Sequence, residues 1–132
     1  MKPRRMLASP GMQRVAALGL LLTIGCYAYL GAQPVAAGLL GAHDKLGHLA
    51  AYGVFAALLW LAAEGRHPWR LFCALALLGA ADECYQSLLP GRVADVADLA
   101  VDTTAGAVAL FLLSRVPDPL RQRLFSTRPW SH

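Results

Sequence analysis

The side chains that could do chemistry are concentrated in one stretch of an otherwise apolar chain. Residues 82–106 hold five of the eight acidic residues around a single arginine, Arg92. The adjacent carboxyls of Asp82 and Glu83 can act as an acid and a base, because repulsion between like charges favours one proton shared between them. Carboxylates also bind divalent cations, and an arginine can hold a phosphate through two hydrogen bonds. This stretch is therefore predicted to carry the function.

The composition of the chain indicates a membrane protein. Hydrophobic residues make up 57% of the 132 residues and charged residues only 15%, which is unlike an ordinary soluble domain. The net charge of +4 could suggest nucleic acid, but the basic residues flank apolar runs instead of forming one patch. The lipid bilayer, and not nucleic acid, is the expected partner. The three cysteines have no Cys-x-x-Cys spacing, so they predict neither a disulfide framework nor a zinc site.

Four apolar runs predict an all-α integral membrane protein with four transmembrane helices. The runs cover residues 15–32, 46–63, 71–89, and from 96 or 99 to 113. Residues 1–14 form a basic N-terminus, 15–114 the transmembrane domain, and 115–132 a basic tail that lies either at the membrane surface or in solvent. The first run also fits a cleaved signal peptide, and we favour a retained helix.

The distribution of basic residues predicts the orientation. With four helices, all twelve basic residues except Lys45 and Arg92 lie on the side of the N-terminus. The positive-inside rule makes that side cytoplasmic. Both termini are then cytoplasmic in the inner membrane. The start of the second helix, the end of the third and the start of the fourth meet at the outer face.

Polar residues spaced by four lie on shared helix faces at that outer surface. The second helix offers Asp44, Lys45, His48 and Tyr52, the third Asp82, Glu83 and Gln86, and the fourth Asp98, Asp102 and Gly106. An Asp at the centre of a membrane helix costs about 2.5–3.5 kcal/mol on insertion scales, so these acids should face the bundle interior and pair there. Glycine at position 106 should let another helix approach closely. One outward-facing polar pocket is the expectation.

The same residues resemble the motif series of the VanZ-like family of small polytopic membrane proteins. The motifs are Asp44-Lys45-x-x-His48-x-x-x-Tyr52, Asp82-Glu83-x-x-Gln86, Pro90-Gly91-Arg92 and Asp95-x-x-Asp98-x-x-x-Asp102-x-x-x-Gly106. The family usually has Asn where this chain has Asp102, so a negative charge replaces an amide that a ligand could have used. The resemblance implies a role in the cell envelope, and the founding member is linked to resistance to the glycopeptide teicoplanin.

Three hypotheses follow for the pocket. It binds, and as a hydrolase or transferase modifies, a lipid-linked or phosphate-bearing envelope component or an anionic headgroup. Alternatively, its charges form an ion-pair network in a non-enzymatic membrane module. A transporter is less favoured, because four short helices leave little room for alternating access. The first hypothesis assigns acid and base roles to Asp82, Glu83 and His48, and ligand binding to Asp44, Lys45, Tyr52, Gln86, Arg92, Asp98 and Asp102.

Individual residues keep alternative interpretations. His48 is either a base or metal ligand or a buried histidine bonded to a carboxylate. Tyr52 either lines the pocket or takes an interfacial aromatic position. A divalent cation is the one cofactor suggested, with Asp82, Glu83 and Asp102 as candidate ligands. The sequence indicates no oligomeric state.

Overall fold

The computed structural model describes residues 10–33, 44–90 and 92–125, and all the regular structure in these ranges is helical. The helices are α1 (Pro10–Gly31), α2 (Asp44–Ala62), α3 (Pro68–Gln86), α4 (Val96–Ser114) and α5 (Asp118–Phe125). The first four correspond to the four predicted runs. The fifth is a short helix in the predicted tail.

The ends of α3 and α4 follow from local sequence. Proline is at the first helical position of α3, where its missing N–H and fixed φ are well tolerated. The predicted run to residue 89 is too long, because the helix ends at Gln86 and the N–H groups of Leu88 and Leu89 bond to the third preceding residue, as in a tight turn. The α4 helix begins after Asp95, whose side chain accepts a hydrogen bond of 2.8 Å from the N–H of Ala97. Such a cap satisfies one of the free N–H groups of the first turn.

Helices α2 and α4 form the centre of the bundle. The α2 helix packs against α1, α4 and α3, and α4 packs against α3. Glycines permit the close contact of α3 with α4, as predicted for Gly106: a Cβ built there would lie 3.1 Å from Leu75 Cδ1. A Cβ on Gly79 would lie 3.0 Å from Leu99 Cδ1. Small residues at such interfaces allow two helix backbones to approach.

Within the described residues, three helices are long and apolar enough to cross a membrane, over Gly11–Gly31, Lys45–Ala62 and Val96–Ser114. The α3 helix has 19 residues but is outside this group, because it carries Arg70, Asp82 and Glu83. Large aliphatic side chains are exposed along the outer faces of the bundle, as at Leu22 and Leu77. These observations agree with the predicted all-α membrane protein.

The α5 helix folds back onto the end of the bundle opposite the predicted pocket. Phe125 is buried, and its ring centroid is 5.3 Å from that of Trp60. Arg121 Nη2 donates hydrogen bonds to the carbonyl oxygens of Glu64 (3.1 Å) and Gly65 (2.6 Å). Gly65 has φ +63°, and a Cβ there would lie 2.7 Å from the Trp60 ring. The alternative of a solvated tail is therefore wrong for residues 118–125.

Some sequence predictions concern parts of the chain outside the described residues. They are the basic residues Lys2, Arg4 and Arg5, the loop residues 34–43, Gly91, the residues from 126 onward, and the side chains of Asp44 and Arg123.

Candidate functional site

His48 lies at the centre of the polar cluster, in contact with two other helices. Its Nδ1 is 2.9 Å from Asp102 Oδ1 and 3.0 Å from the Tyr27 hydroxyl oxygen. The side chains of His48 and Asp102 are only 2% and 0% exposed. An ionised carboxylate at Asp102 would accept this hydrogen bond from the Nδ1–H tautomer of His48. The predicted bond of His48 to a carboxylate of another helix is present in the structure.

Tyr27 adds α1 to this contact. Its hydroxyl oxygen is 3.0 Å from the His48 Nδ1 that also meets Asp102. A polar chain therefore runs from Asp102 through His48 to Tyr27 and joins α4, α2 and α1.

A second contact joins the first turns of α2 and α4. Lys45 Nζ is 2.7 Å from Asp98 Oδ1 and 3.4 Å from Asp95 Oδ2. The hydrogen bond from the Ala97 N–H, together with Lys45, lowers the pKa of Asp95. Asp98 Oδ2 also lies 3.9 Å from His48 Nε2. Asp98 thus lies between the cation of Lys45 and the imidazole.

The two adjacent acids at the end of α3 contact different partners. Asp82 Oδ2 accepts a hydrogen bond of 2.9 Å from Gln86 Nε2. Glu83 Oε2 instead accepts one of 2.7 Å from the backbone N–H of Asp95, which holds the α3–α4 connection against α3. In the described residues, the acids grouped with His48 as possible metal ligands are Asp82 and Asp102, and Glu83 is not in the group.

Arg92 links the segment between α3 and α4 to α1. Its Nη1 donates to Gln86 Oε1 at 3.3 Å, and its Nη2 donates to the carbonyl oxygen of Gly31 at 3.0 Å. These two hydrogen bonds hold the guanidinium between the last residues of α1 and α3. The sequence predicts that both of these helix ends lie at the outer face. Such a position suits an arginine that meets a ligand at a fixed angle.

Tyr52 is completely buried one turn below His48 on α2. Its ring packs against those of Tyr27 and Phe55, with centroids 6.5 Å and 5.2 Å away. Its hydroxyl has no hydrogen-bond partner in the structure. The interfacial alternative is therefore wrong for Tyr52, whereas Tyr85 is partly exposed.

A cavity of about 170 Å³ lies among α1, α2 and α3. Its polar wall consists of Tyr27, His48, Asp82, Gln86 and Arg92. A second space of about 160 Å³ is lined mainly by apolar residues, including Ile24, Phe55 and Leu78. The two spaces share Tyr27, Ala28, Asp82 and Tyr85, so a cavity with one polar wall adjoins an apolar groove.

Two contributions from α1 were missed by the sequence analysis. The hydroxyl of Tyr27 and the carbonyl of Gly31 both enter the site, although the first apolar run was interpreted only as a membrane span. The available signal was weak: Thr23, Tyr27 and Gly31 are spaced by four and therefore share one helix face. A contact made by a backbone carbonyl does not depend on residue type, so the sequence does not indicate it.

Comparison with known proteins supports the resemblance in the motifs. The sequence model of the VanZ/LLP1 family matches residues 10–117, which includes the whole of α1 to α4. No curated protein and no solved structure matches the chain. The family match covers most of the sequence and extends well beyond the motif region at both ends. The chain therefore belongs to the VanZ/LLP1 family.

Proposed function

We propose that this VanZ-like envelope protein binds the phosphate-bearing headgroup of a lipid or lipid-linked envelope component in the cavity among α1, α2 and α3. The observation that carries the proposal is the composition of the cavity wall. Arg92, Gln86 and His48 line one small space, and an arginine fork matches the geometry of a phosphate.

The size of the cavity supports a headgroup as the ligand. A volume of about 170 Å³ corresponds to about six water molecules at about 30 Å³ each. Pockets for drug-sized molecules are larger, about 300–1,000 Å³. A phosphate with a few further atoms fits this space, whereas a glycopeptide does not. A contribution to teicoplanin resistance would therefore act through the bound envelope component and not through binding of the drug inside the cavity.

The apolar groove supports a lipid as the source of that headgroup. It begins at Tyr27 and Asp82 in the cavity wall and continues past Ile24, Phe55 and Leu78. An acyl chain in this groove would remove apolar surface from water or fill a gap between helices, and both stabilise the complex.

The proposal also includes the fourth membrane span and the outward orientation. The α3 helix has 19 residues, or about 28 Å at about 1.5 Å per residue, which matches a hydrocarbon core about 30 Å thick. Its charged residues are near its two ends, and Glu83 is buried. With four spans, the basic residues favour cytoplasmic termini and an outward cavity.

The His48–Asp102 contact supports an extension from binding to hydrolysis or group transfer. A carboxylate on Nδ1 fixes the tautomer and orientation of a catalytic histidine. Here Nε2, the nitrogen that would exchange a proton with a ligand, is 3.9 Å from Asp98 Oδ2. Binding is the part of the proposal that the cavity supports directly.

Ligand titrations of the purified protein test the proposal. The protein in nonionic detergent is titrated with short-chain phosphatidylglycerol, short-chain phosphatidylcholine and glycerol 3-phosphate, with bound ligand counted by native mass spectrometry. We expect phosphatidylglycerol to bind, and Arg92→Gln to weaken binding by about 10-fold to 150-fold, because a hydrogen bond to a charged group contributes about 1.5–3 kcal/mol.

Arg115→Gln is the matched control, because Arg115 is exposed at the other end of α4, where its guanidinium carbon lies 4.4 Å from the Phe111 ring centroid. Its affinity should equal that of the unmodified protein. An unchanged affinity in Arg92→Gln, or no binding of either phospholipid, would contradict the proposal. Binding of glycerol 3-phosphate as tight as that of phosphatidylglycerol would identify a soluble phosphate ester in place of a lipid.

The second candidate function is a structural module held together by ion pairs. It is favoured by the short contacts between helices, from Lys45 to Asp98 and from His48 to Asp102. In such a module, loss of one charge lowers stability and loss of its partner restores it. Ligand binding in the titrations above would not be expected.

A further inference from the structure

The innermost part of the polar cluster brings together three potential metal ligands from three helices. His48 on α2, Asp82 on α3 and Asp102 on α4 each offer one ligand atom, and these atoms lie within 4.8 Å of one another. His48 and Asp102 are buried, and Asp82 is partly buried. An imidazole and two carboxylates form a ligand set that suits divalent transition metals.

Two buried oxygen atoms beside this set have no hydrogen-bond partner. Asp102 is 0% exposed, and neither its Oδ2 nor the hydroxyl of Tyr52 makes a hydrogen bond of normal length, although Tyr52 interacts electrostatically with Asp102. Asp102 Oδ2 faces α3, because a Cβ on Gly79 would lie 3.6 Å from it. A buried carboxylate oxygen that lacks a donor is costly, and its direction towards the helix of Asp82 places it where a cation would be bound.

The distances are close to those of a coordination shell. His48 Nδ1 and Asp102 Oδ1 are 2.9 Å apart. Two ligands at about 2.0–2.1 Å from a tetrahedral metal are about 3.3 Å apart, so a shift of a few tenths of an ångström would bring both to one ion. Asp82 completes the set by a movement of its side chain towards the other two ligand atoms.

Charge and proton balance are consistent with a cation at this place. A divalent cation would neutralise the two carboxylates, while the nearest ammonium group, that of Lys45, is engaged with Asp98 and Asp95. Nδ1 must give up its hydrogen to bind a metal. The hydrogen can move to Nε2, which lies 3.9 Å from Asp98 Oδ2, or leave to solvent.

We propose that His48 Nδ1, Asp82 and Asp102 bind one divalent transition cation of the Zn²⁺ or Mn²⁺ type, with an open coordination position towards the cavity. His48 and Asp82 also line the cavity, so a phosphate oxygen could occupy that position. The cation site is a separate inference from headgroup binding, because it requires no lipid.

The test uses the metal alone. Chelator-treated protein in lipid-free detergent is equilibrated with Mn²⁺ or Zn²⁺, and bound metal is measured by elemental analysis. We expect about one ion per chain, and Asp102→Asn should lower the affinity by about tenfold or more. Asp82→Asn provides the same test on a partly exposed residue if Asp102→Asn does not fold. Bound Mn²⁺ should show nitrogen hyperfine coupling in pulsed electron paramagnetic resonance, and His48→Gln should remove it.

Asp95→Asn is the control for loss of a nearby negative charge, because Asp95 is exposed and is not in the proposed ligand set. Its affinity should be unchanged. Substoichiometric binding by the unmodified protein, equal weakening by Asp95→Asn, or no nitrogen coupling would overturn the cation site. These results leave the phospholipid titrations unaffected, so failure of the two proposals can be told apart.

Discussion

A double-mutant cycle on His48 and Asp102 gives the sharpest test of how the helices are held together. Replacing His48 with Leu leaves the Asp102 carboxylate buried without its imidazole, and a buried charged group left without its hydrogen-bond partner costs about 3 kcal/mol or more. Asp102→Asn keeps the shape and an acceptor oxygen, so we expect a loss of about 1–2 kcal/mol, the difference between a charged and a neutral hydrogen bond.

The coupling between the two substitutions follows from distance and burial. At 2.9 Å, with side chains 2% and 0% exposed, the two groups are in direct contact and shielded from water. Residues in direct contact usually couple by about 1–3 kcal/mol. His48→Leu should therefore cost about 1–3 kcal/mol less when Asp102 is already Asn.

The free energy of unfolding is measured in mixed micelles, with a chelator present so that bound metal does not contribute. Lys45 and Asp95 form the control pair, because their side chains are 54% and 53% exposed at a distance of 3.4 Å. Lys45→Met and Asp95→Asn should show no measurable coupling. A coupling below about 0.5 kcal/mol for His48 and Asp102, the usual limit of additivity, would refute a stabilising contact between them.

Three further predictions concern the orientation, the tail and pH. In a variant without the native cysteines, Ser87→Cys should react with a membrane-impermeant maleimide in intact cells and Ser114→Cys should not; the reverse pattern would invert the topology. Arg121→Met removes both hydrogen bonds to the α2–α3 turn and should lower the free energy of unfolding by about 1–3 kcal/mol, whereas an unchanged value would mean that α5 is not docked. Because hydrogen bonding lowers the pKa of Asp95 below 3.8, its ionic contribution to stability is present above that pH and is lost as the pH falls through the folded-state pKa. The stability difference between the unmodified protein and Asp95→Asn should therefore shrink below about pH 3.8, and a constant difference in pH-dependent unfolding would contradict this.

The helices could be located from the sequence because a membrane span has a compositional signal as long as the helix itself. The ends were less accurate, since hydropathy marks the apolar part of a helix and not its hydrogen bonding. The α1 helix begins at Pro10, before the predicted residue 15, and includes the polar Gln13 and Arg14. Similarly, Ser114 continues α4 by one residue although it is not apolar.

The partners within the site could be predicted only as a group. Spacing by four places His48 on one face of α2 and Asp102 on one face of α4, but it does not say which faces meet. Their contact depends on the close packing of α3 and α4 at Gly79 and Gly106, which fixes how far α4 approaches the other helices. Arg92 was expected near acids or a phosphate. Its contact with the Gly31 carbonyl could not be predicted, because a backbone carbonyl is present at every residue.

The buried polar contacts at the other end of the bundle could not be predicted from the sequence, for a different reason. Glu64 lies between the second and third apolar runs, but its side chain is buried and bonded to Gln13 and Arg66. Its backbone has φ +55°, a left-handed conformation that non-glycine residues seldom adopt. Charged residues between two apolar runs predict a solvated turn, and only the return of α5 makes this turn an interior site.

A comparison of these two buried polar clusters supports a ligand at one of them. At the Glu64 end, both carboxylate oxygens contact donors, Oε1 from Gln13 and Oε2 from Arg66. At the His48 end, Glu83 Oε1 and Asp102 Oδ2 are buried acceptors without a donor, and each such atom costs about 1–3 kcal/mol. A purely structural network would gain stability by satisfying them, as the Glu64 cluster does. Unsatisfied acceptors therefore favour a ligand that brings positive charge or hydrogen-bond donors to the acids, while Arg92 on the cavity wall is placed for an anion.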